Sequence, residues 1–367
     1  MTDDSKTDIG RSRSAEAGLP AGGSLYDDIL REEANWIARL QLESGCIPMY
    51  NEPLASHGGE YRVIPYFTHL ALLGLLEQPE HSPVVRKYMD WYFSRLIRTA
   101  TETAPAGAVF DHTVAADRLT FTATGDFDST DSYASTFLNV LRKYAETTGD
   151  TAYLLERRSD IALIAGAMLA TKQSDGLTWA KPSYRVKYLM DNAEVYEGLA
   201  DMEWICSEVF GDRTEAAFYR HHKDEVAAGI QTGLWNESLQ AYAYAKNEDG
   251  SLLEPEWGRF YPDATAQLFP IWTGMLPPES ERARRLYASF NAHFPQWPQL
   301  NKRDSFPWAL LAYTSAVMGD AERTVQFLES AQAAFIERGH PWPWYVMESG
   351  VTMLAAARMK RLSANTA

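Results

Sequence analysis

KYAETTGDTAYLLERRSDIALIAGAML, residues 143–169, reads as two helical runs joined by Gly149-Asp150. Glycine fits the left-handed position just past a helix end, and the aspartate after it accepts from the free N–H groups that open the next helix. The same unit recurs in residues 204–230, WICSEVFGDRTEAAFYRHHKDEVAAGI, around Gly211-Asp212, and in residues 313–335, YTSAVMGDAERTVQFLESAQAAF, around Gly319-Asp320. Each is a tight helical hairpin. Two more hairpins turn on proline, which ends one helix and fits the first turn of the next. They are residues 68–97, THLALLGLLEQPEHSPVVRKYMDWYFSRLI, and residues 266–294, AQLFPIWTGMLPPESERARRLYASFNAHF.

Five hairpins leave one helical run at each end of the chain, residues 25–43 and 345–362. Paired with each other, these runs make a sixth hairpin and close a ring of twelve helices. The spacing thus predicts an all-α fold, an (α/α)6 toroid over residues 25–362, flanked by a polar disordered tail at 1–24 and a short tail at 363–367. Connections within hairpins are short. Those between hairpins span residues 45–64, 99–130, 171–190, 234–262, 295–304 and 339–344. In an alternating ring they all fall on one face, and long ordered loops in a compact domain are where function concentrates. Inside one of them, AYAYAKNEDGSLLEP (residues 241–255) predicts a β-hairpin turning on Asp249-Gly250.

Composition narrows the function. Apolar residues make up 46% of the 367, enough for an extensive core, and the formal net charge is −15. Such a surface repels phosphate backbones, which argues against a nucleic-acid partner. No apolar run is long enough to span a bilayer, so no membrane partner is expected. The N-terminal residues lack the apolar core of a signal peptide, and the two cysteines, Cys46 and Cys206, have neither disulfide-framework nor metal-ligand spacing. The expectation is a cytoplasmic protein with two buried, reduced thiols. No dinucleotide fingerprint, P-loop or HExxH occurs, and no cofactor or metal is expected, although the acids of residues 126–131 are oxygen ligands of the kind calcium takes.

Candidate chemistry gathers at the starts of the inner helices. In GDFDSTDSYASTF (residues 125–137), Asp126, Asp128 and Asp131 precede Tyr133. Ser129, Thr130 or Asp131 would serve as a helix cap, but three acids and a tyrosine exceed what a cap needs. In YRVKYLMDNAEVYEGLADMEW (residues 184–204), Asp191 and Glu194 have capping-box spacing after Tyr188; the functional alternative makes Asp191 a general acid. In GHPWPWYVMESGVTM (residues 339–353), Trp342 and Trp344 flank a proline, and Glu348 lies one turn into the last helix. Further residues on the same face are Tyr66, Arg62 and His69, then Trp179, Trp257, Tyr261 and Asp263, then Arg303, Asp304 and Trp308; Asp111 and His112 have no evident partner. A ring brings Asp131, Asp191, Asp263, Asp304 and Glu348 toward one cavity. Acids that bind hydroxyls and shuttle protons, together with flat rings that stack on pyranose faces, are what glycosyl chemistry requires.

The pattern resembles the six-hairpin glycosidase superfamily. FDSTDSYASTFL (residues 127–138) is similar to the Tyr-x-Ser-x-Asp-Ala segment in the glucosidase domain of glycogen-debranching-type enzymes. TTGDTAYL (residues 147–154) resembles the Thr-Gly-Asp turn common in these toroids, YLMDNAEVYEGLADM (residues 188–202) the segment carrying their general acid, and GLWNESLQAYAY (residues 233–244) their Trp-Asn strand start. The resemblance implies Asp131 as a sugar ligand, Asp191 as general acid and Glu348 as the base near the last inner helix. Tyr188-Leu189 replaces the Thr-Trp that precedes the acid in the debranching pattern, which leaves Asp128 and Glu194 as alternative positions for it.

The foremost reading is an inverting glycoside hydrolase acting on an oligosaccharide or glycoconjugate, with Asp191, Glu348 and Asp128 as catalytic candidates. A sugar epimerase or lyase on the same fold would need His69 or His340 to face the acids. A class II terpene-cyclase-like enzyme would use Asp126 and Asp128 of the Asp-x-Asp-Ser-Thr run. A non-catalytic sugar-binding protein would keep the aromatic platforms without a working pair of carboxylates.

Overall fold

Each Gly-Asp turn has the geometry that its residues favour. Gly149, Gly211 and Gly319 are left-handed, with φ of 71°, 65° and 76°. The side chains of Asp150, Asp212 and Asp320 accept from the backbone N–H groups of Tyr153, Glu215 and Arg323. In the computed structural model, which describes residues 23–55 and 58–366, these turns link three helix pairs. They join α4 (Thr130–Thr148) to α5 (Thr151–Glu156) and α6 (Arg158–Leu169), α7 (Leu189–Trp204) to α8 (Arg213–Gly233), and α11 (Ala309–Val317) to α12 (Ala321–Ala334). The proline turns join α2 (Pro65–Leu75) to α3 (Ser82–Ser94) and α9 (Phe269–Trp272) to α10 (Glu281–His293). The remaining helices are α1 (Gly23–Leu40) and α13 (Val346–Thr366).

Six of these helices form a closed inner ring. Helix α2 packs on α4, α4 on α7, α7 on α9, α9 on α11, α11 on α13, and α13 back on α2. The outer layer is α3 on α2, α6 on α4, α8 on α7 and α12 on α11, with Phe290 and Phe294 of α10 against Phe260 just before α9. Helix α1 lies along α13, so the two ends of the chain complete the sixth hairpin. The fold is the all-α toroid expected from the spacing.

Four details differ from the sequence reading. Helix α1 begins at Gly23, two residues earlier, and α13 continues to Thr366 through residues read as a tail; positions 1–22 and 367 of the expected tails lie outside the described residues. The outer helix after Gly149-Asp150 is split at Arg157, whose guanidinium turns to Asp90 and Phe93 of α3. The fourth inner helix shrinks to α9, reached through a wide turn over Phe260–Ala264, because Pro270 has no N–H to return to the preceding turn.

The long connections are tied to one another. Strand β1 (Tyr61–Val63) pairs with β2 (His112–Val114), which pairs with β3 (Phe121–Ala123). Strand β4 (Lys187–Tyr188) and the β5–β6 pair (Trp235–Asn236, Ala241–Tyr242) precede β7 (Ala245–Lys246) and β8 (Leu252–Leu253). Strands β7 and β8 are the hairpin predicted at Asp249-Gly250, with β4 on the far edge of β7. Among the described residues, no helix is long and apolar enough to cross a membrane, and both cysteines are buried and free.

Ring closure depends on backbone contact between α2 and α13. A Cβ added to Gly350 would lie 2.3 Å from Ala71 Cα, and one added to Gly74 would lie 2.0 Å from the Gly350 carbonyl oxygen. Gly350→Ala therefore forces the closing helices apart and is expected to cost about 3 kcal/mol. Gly166→Ala, on exposed α6 with open space at its Cβ, is expected to stabilise by about 0.5–1 kcal/mol. Thermal unfolding midpoints of the two variants check this; equal midpoints would contradict it.

Candidate active site

The starts of all six inner helices border one cavity of about 780 Å3. Helix α2 contributes Tyr66 and Phe67, α4 Ser132 and Tyr133, α7 Met190, Asp191 and Glu194, α9 Phe269, α11 Leu310, and α13 Met347 and Glu348. The loops add Arg62, Asp111, Asp126, Asp128, Lys181, Tyr261, Asp304, Phe306, Trp308, Trp342 and Tyr345. The inner helices thus run parallel, and their positive ends converge on the acids, which favours the ionised forms. Leu310 also borders a smaller pocket of about 180 Å3 at the far end of the ring axis.

Crowding and burial oppose the helix ends. Asp191 is the third residue of α7, and no cap bond involves it, since Tyr188 occupies the N-cap position. Among the described residues, no other side chain hydrogen-bonds to its carboxyl. Burial, then the charges of Asp131, Glu194 and Asp128, push it well above the usual carboxylate range. Glu194 is buried and accepts from Tyr66 Oη at 2.6 Å and from Ser132 Oγ. Those bonds lower its pKa, but burial outweighs them and pushes it up to about 8.

Glu348 stands on the opposite wall, three places round the ring from Asp191. Its Oε1 accepts from Trp308 N–H at 3.1 Å and its Oε2 from Ala309 N–H at 2.6 Å. It therefore closes the first turn of α11 and holds Trp308 in the left-handed region, at φ 63°. That conformation is costly for a bulky residue and survives only where the surroundings fix it. Burial raises the Glu348 carboxyl to about 7 against these two N–H groups and the Lys302 charge.

Several residues expected on the cleft lie elsewhere. Asp131 is fully buried below the cavity, accepting from Thr178 Oγ1 at 2.6 Å and from Ser132 N–H at 2.9 Å; burial pushes it up to about 7. Asp263 is buried and accepts from Glu256 N–H. Trp344 is a core residue whose indole donates to Glu33, whereas Trp342 is 40% exposed at the cavity. Trp179 lies under the Arg185 guanidinium, Tyr188 Oη meets Tyr184 Oη, and Trp257 stacks on His293; Arg303 is on the cleft, in a hollow that shares Tyr261 and Asp304 with the main cavity. An exposed loop aromatic and one folded under its own loop have the same sequence signature.

The acids of residues 126–131 diverge and do not surround an ion. Asp126 pairs with Lys181 at 2.8 Å, which holds its carboxyl below the usual range, while Asp131 turns to Thr178. Among the described residues, no group of three or more His, Cys, Asp or Glu is placed to hold a metal. An acid kept protonated, as a cyclase would need, is not what Asp126 provides. Neither histidine faces the acids. His69 is buried against Thr136, and His340 bonds Glu33 at 2.6 Å and stacks on Trp36. One residue whose place the sequence did not reveal is Asp111. It borders the cavity, accepts from Tyr133 Oη at 2.9 Å, and is pushed up to about 7 by burial. It arrives just before β2, from a long loop with no helical register to point it inward.

No family model matches this sequence, and no curated protein matches it. Solved structures do match. A glycosidase superposes with TM-score 0.65 at 14% identity, covering 92% of this chain and 97% of its own. A glutamate-to-alanine variant glycosidase, also at TM-score 0.65, was solved in complex with glucose. The fold is one that glycosidases use. An α-amylase from Clostridium perfringens matches with TM-score 0.62 at 10% identity, over 93% of this chain and 99% of that one. A rhamnosidase from Klebsiella oxytoca with rhamnose bound matches with TM-score 0.57 at 12% identity, over 92% of this chain and 64% of that one.

The raised carboxyls have a pH consequence. Glu194 keeps its proton to about pH 8 when folded but loses it near its ordinary 4.5 when unfolded. Between those values the folded state holds more protons, so its stability falls as pH rises. Glu194→Gln removes that contribution. Relative to wild type, the variant's unfolding midpoint is expected to rise progressively from pH 5 to pH 9; a pH-independent difference would refute the assignment.

Proposed function

We propose that this protein is a glycoside hydrolase in which Asp191 is the general acid and Glu348 the general base. The observation that carries the reading is the placement of two carboxyls on opposite inner helices, Asp191 half-buried and Glu348 buried, facing one aromatic-walled cavity with contrasting surroundings. Among the described residues Asp191 has no donor from another side chain, and burial and neighbouring acids raise its carboxyl well above the usual range, which suits an acid that protonates a leaving oxygen. Glu348 accepts two backbone N–H bonds and ionises near neutrality, and each of its oxygens has a second lone pair for a water. We read this pair on opposite walls as an inverting one, which requires carboxyls about 6.5–9.5 Å apart with a sugar and that water between them.

The surrounding groups fit a sugar in the cavity. Trp308, Trp342 and Phe306 offer apolar faces, and Asp128, Asp304 and Arg62 offer hydrogen-bonding groups to hydroxyls. Glu194 holds Tyr66 in place at the mouth of α2. The local likeness of residues 127–138 and 188–202 to the glucosidase domain of debranching-type enzymes supports the same choice of acid.

Asp191→Asn is the clean test, because it changes protonation without breaking a scaffold bond. It is expected to lower kcat by about 10²–10⁴-fold on whichever member of a glycan panel wild type cleaves, with the Kd for that glycan nearly unchanged. Glu348→Gln is expected to lose as much activity and also some stability, since one helix N–H loses its acceptor. Wild-type kcat/KM is expected to rise with pH through about 7 as Glu348 ionises, and product NMR to show the inverted anomer. Sugar binding with no product from wild type under any condition would leave a binding protein instead.

A further inference from the structure

Beside the main cavity lies a second hollow of about 380 Å3, lined by Glu256, Gly258, Arg259, Tyr261, Arg303 and Asp304 with Phe260 behind them. Tyr261 and Asp304 border both spaces, so the two are compartments of one cleft. Tyr261 is 51% exposed, yet its ring is braced against Trp308 with centroids 5.3 Å apart. A large aromatic face left open between two compartments is a surface on which a pyranose ring stacks.

The charges of the hollow bear on what it takes. Arg259 lies 3.7 Å from Glu256 and 3.6 Å from Asp263, and the Arg303 guanidinium donates to the Gly258 carbonyl at 3.3 Å beside Asp304. Cationic and anionic groups alternate, so no excess positive charge is present to draw a carboxylate or phosphate. Alternating donors and acceptors match the hydroxyls of an uncharged sugar. The main cavity argues the same way. It has seven carboxyl side chains against two cations, Arg62 and Lys181, and Lys181 is already paired with Asp126.

We infer that the hollow is the leaving-group subsite, holding the sugar unit on the far side of the scissile bond, with Tyr261 as the platform at the junction. The inference rests on the hydrolase reading and adds a substrate class: an uncharged oligosaccharide of at least two units, in place of a glycoside with a small leaving group.

Gly258 supplies the test. A Cβ there meets nothing within 4 Å, so a side chain can start at this lining position without a clash, and Gly258→Trp is chosen to fill the hollow. Wild type, Gly258→Trp and Arg303→Ala are titrated by calorimetry with glucose, mannose and rhamnose, and with disaccharides carrying each of these at the non-reducing end. For the sugar that wild type binds, the disaccharide is expected to bind about tenfold more tightly than the monosaccharide. Gly258→Trp is expected to abolish that advantage and Arg303→Ala to reduce it, with the monosaccharide Kd within about twofold of wild type in both. Undiminished disaccharide affinity in both variants overturns the subsite and leaves the hydrolase reading standing. Failure of wild type to bind any sugar of a broad panel of neutral mono- and disaccharides that includes these overturns both.

Discussion

The ring closes because two helices touch at their backbones. Helix α13 meets α2 where Gly74 and Gly350 leave no room for a side chain, and it also packs along α1 and α11. One helix thus links the first and last hairpins and positions the carboxylate at its own start. Helix packing at this distance is unforgiving, because interiors are filled to near crystal density.

Parallel inner helices create a balance of opposing fields. Six positive helix ends face the cavity and favour charge, while burial and mutual repulsion among Asp131, Asp191, Glu194 and their neighbours disfavour it. Burial wins at these positions: Asp131 is pushed up to about 7, Glu194 to about 8, and Asp191 well above the usual carboxylate range. Acids such as Asp126, exposed and paired with Lys181, go the other way. One short stretch of chain therefore holds carboxyls of opposite tendency, a difference set by depth in the ring and not by residue type.

Much of this architecture was legible before any coordinates. The three Gly-Asp turns and the two proline turns carry local chemistry strong enough to place helix ends, and alternating short and long connections imply which face holds the loops. The positions of Asp191 and Glu348 on the cavity follow from helix starts alone. Loop residues were harder. Trp342 and Trp344 are two residues apart, yet one borders the cavity and the other donates to Glu33 in the core. Asp131 and Asp128 are three apart, yet the first turns down to Thr178. These outcomes depend on what a distant segment offers, here Glu33 on α1 and Thr178 in another loop, and sequence spacing carries no information about that. Asp111 is the converse case, an acid whose partner Tyr133 comes from a different hairpin.

Glu348 joins two kinds of demand in one side chain. Its oxygens close the first turn of α11 while its carboxyl faces the cavity. The two N–H groups of Trp308 and Ala309 hold its pKa down against burial. Any drift that lengthens those contacts lets burial raise the carboxyl further, so the basicity of Glu348 responds to the spacing of α11 and α13. The mechanical state of the ring is thereby written into the protonation of a single group.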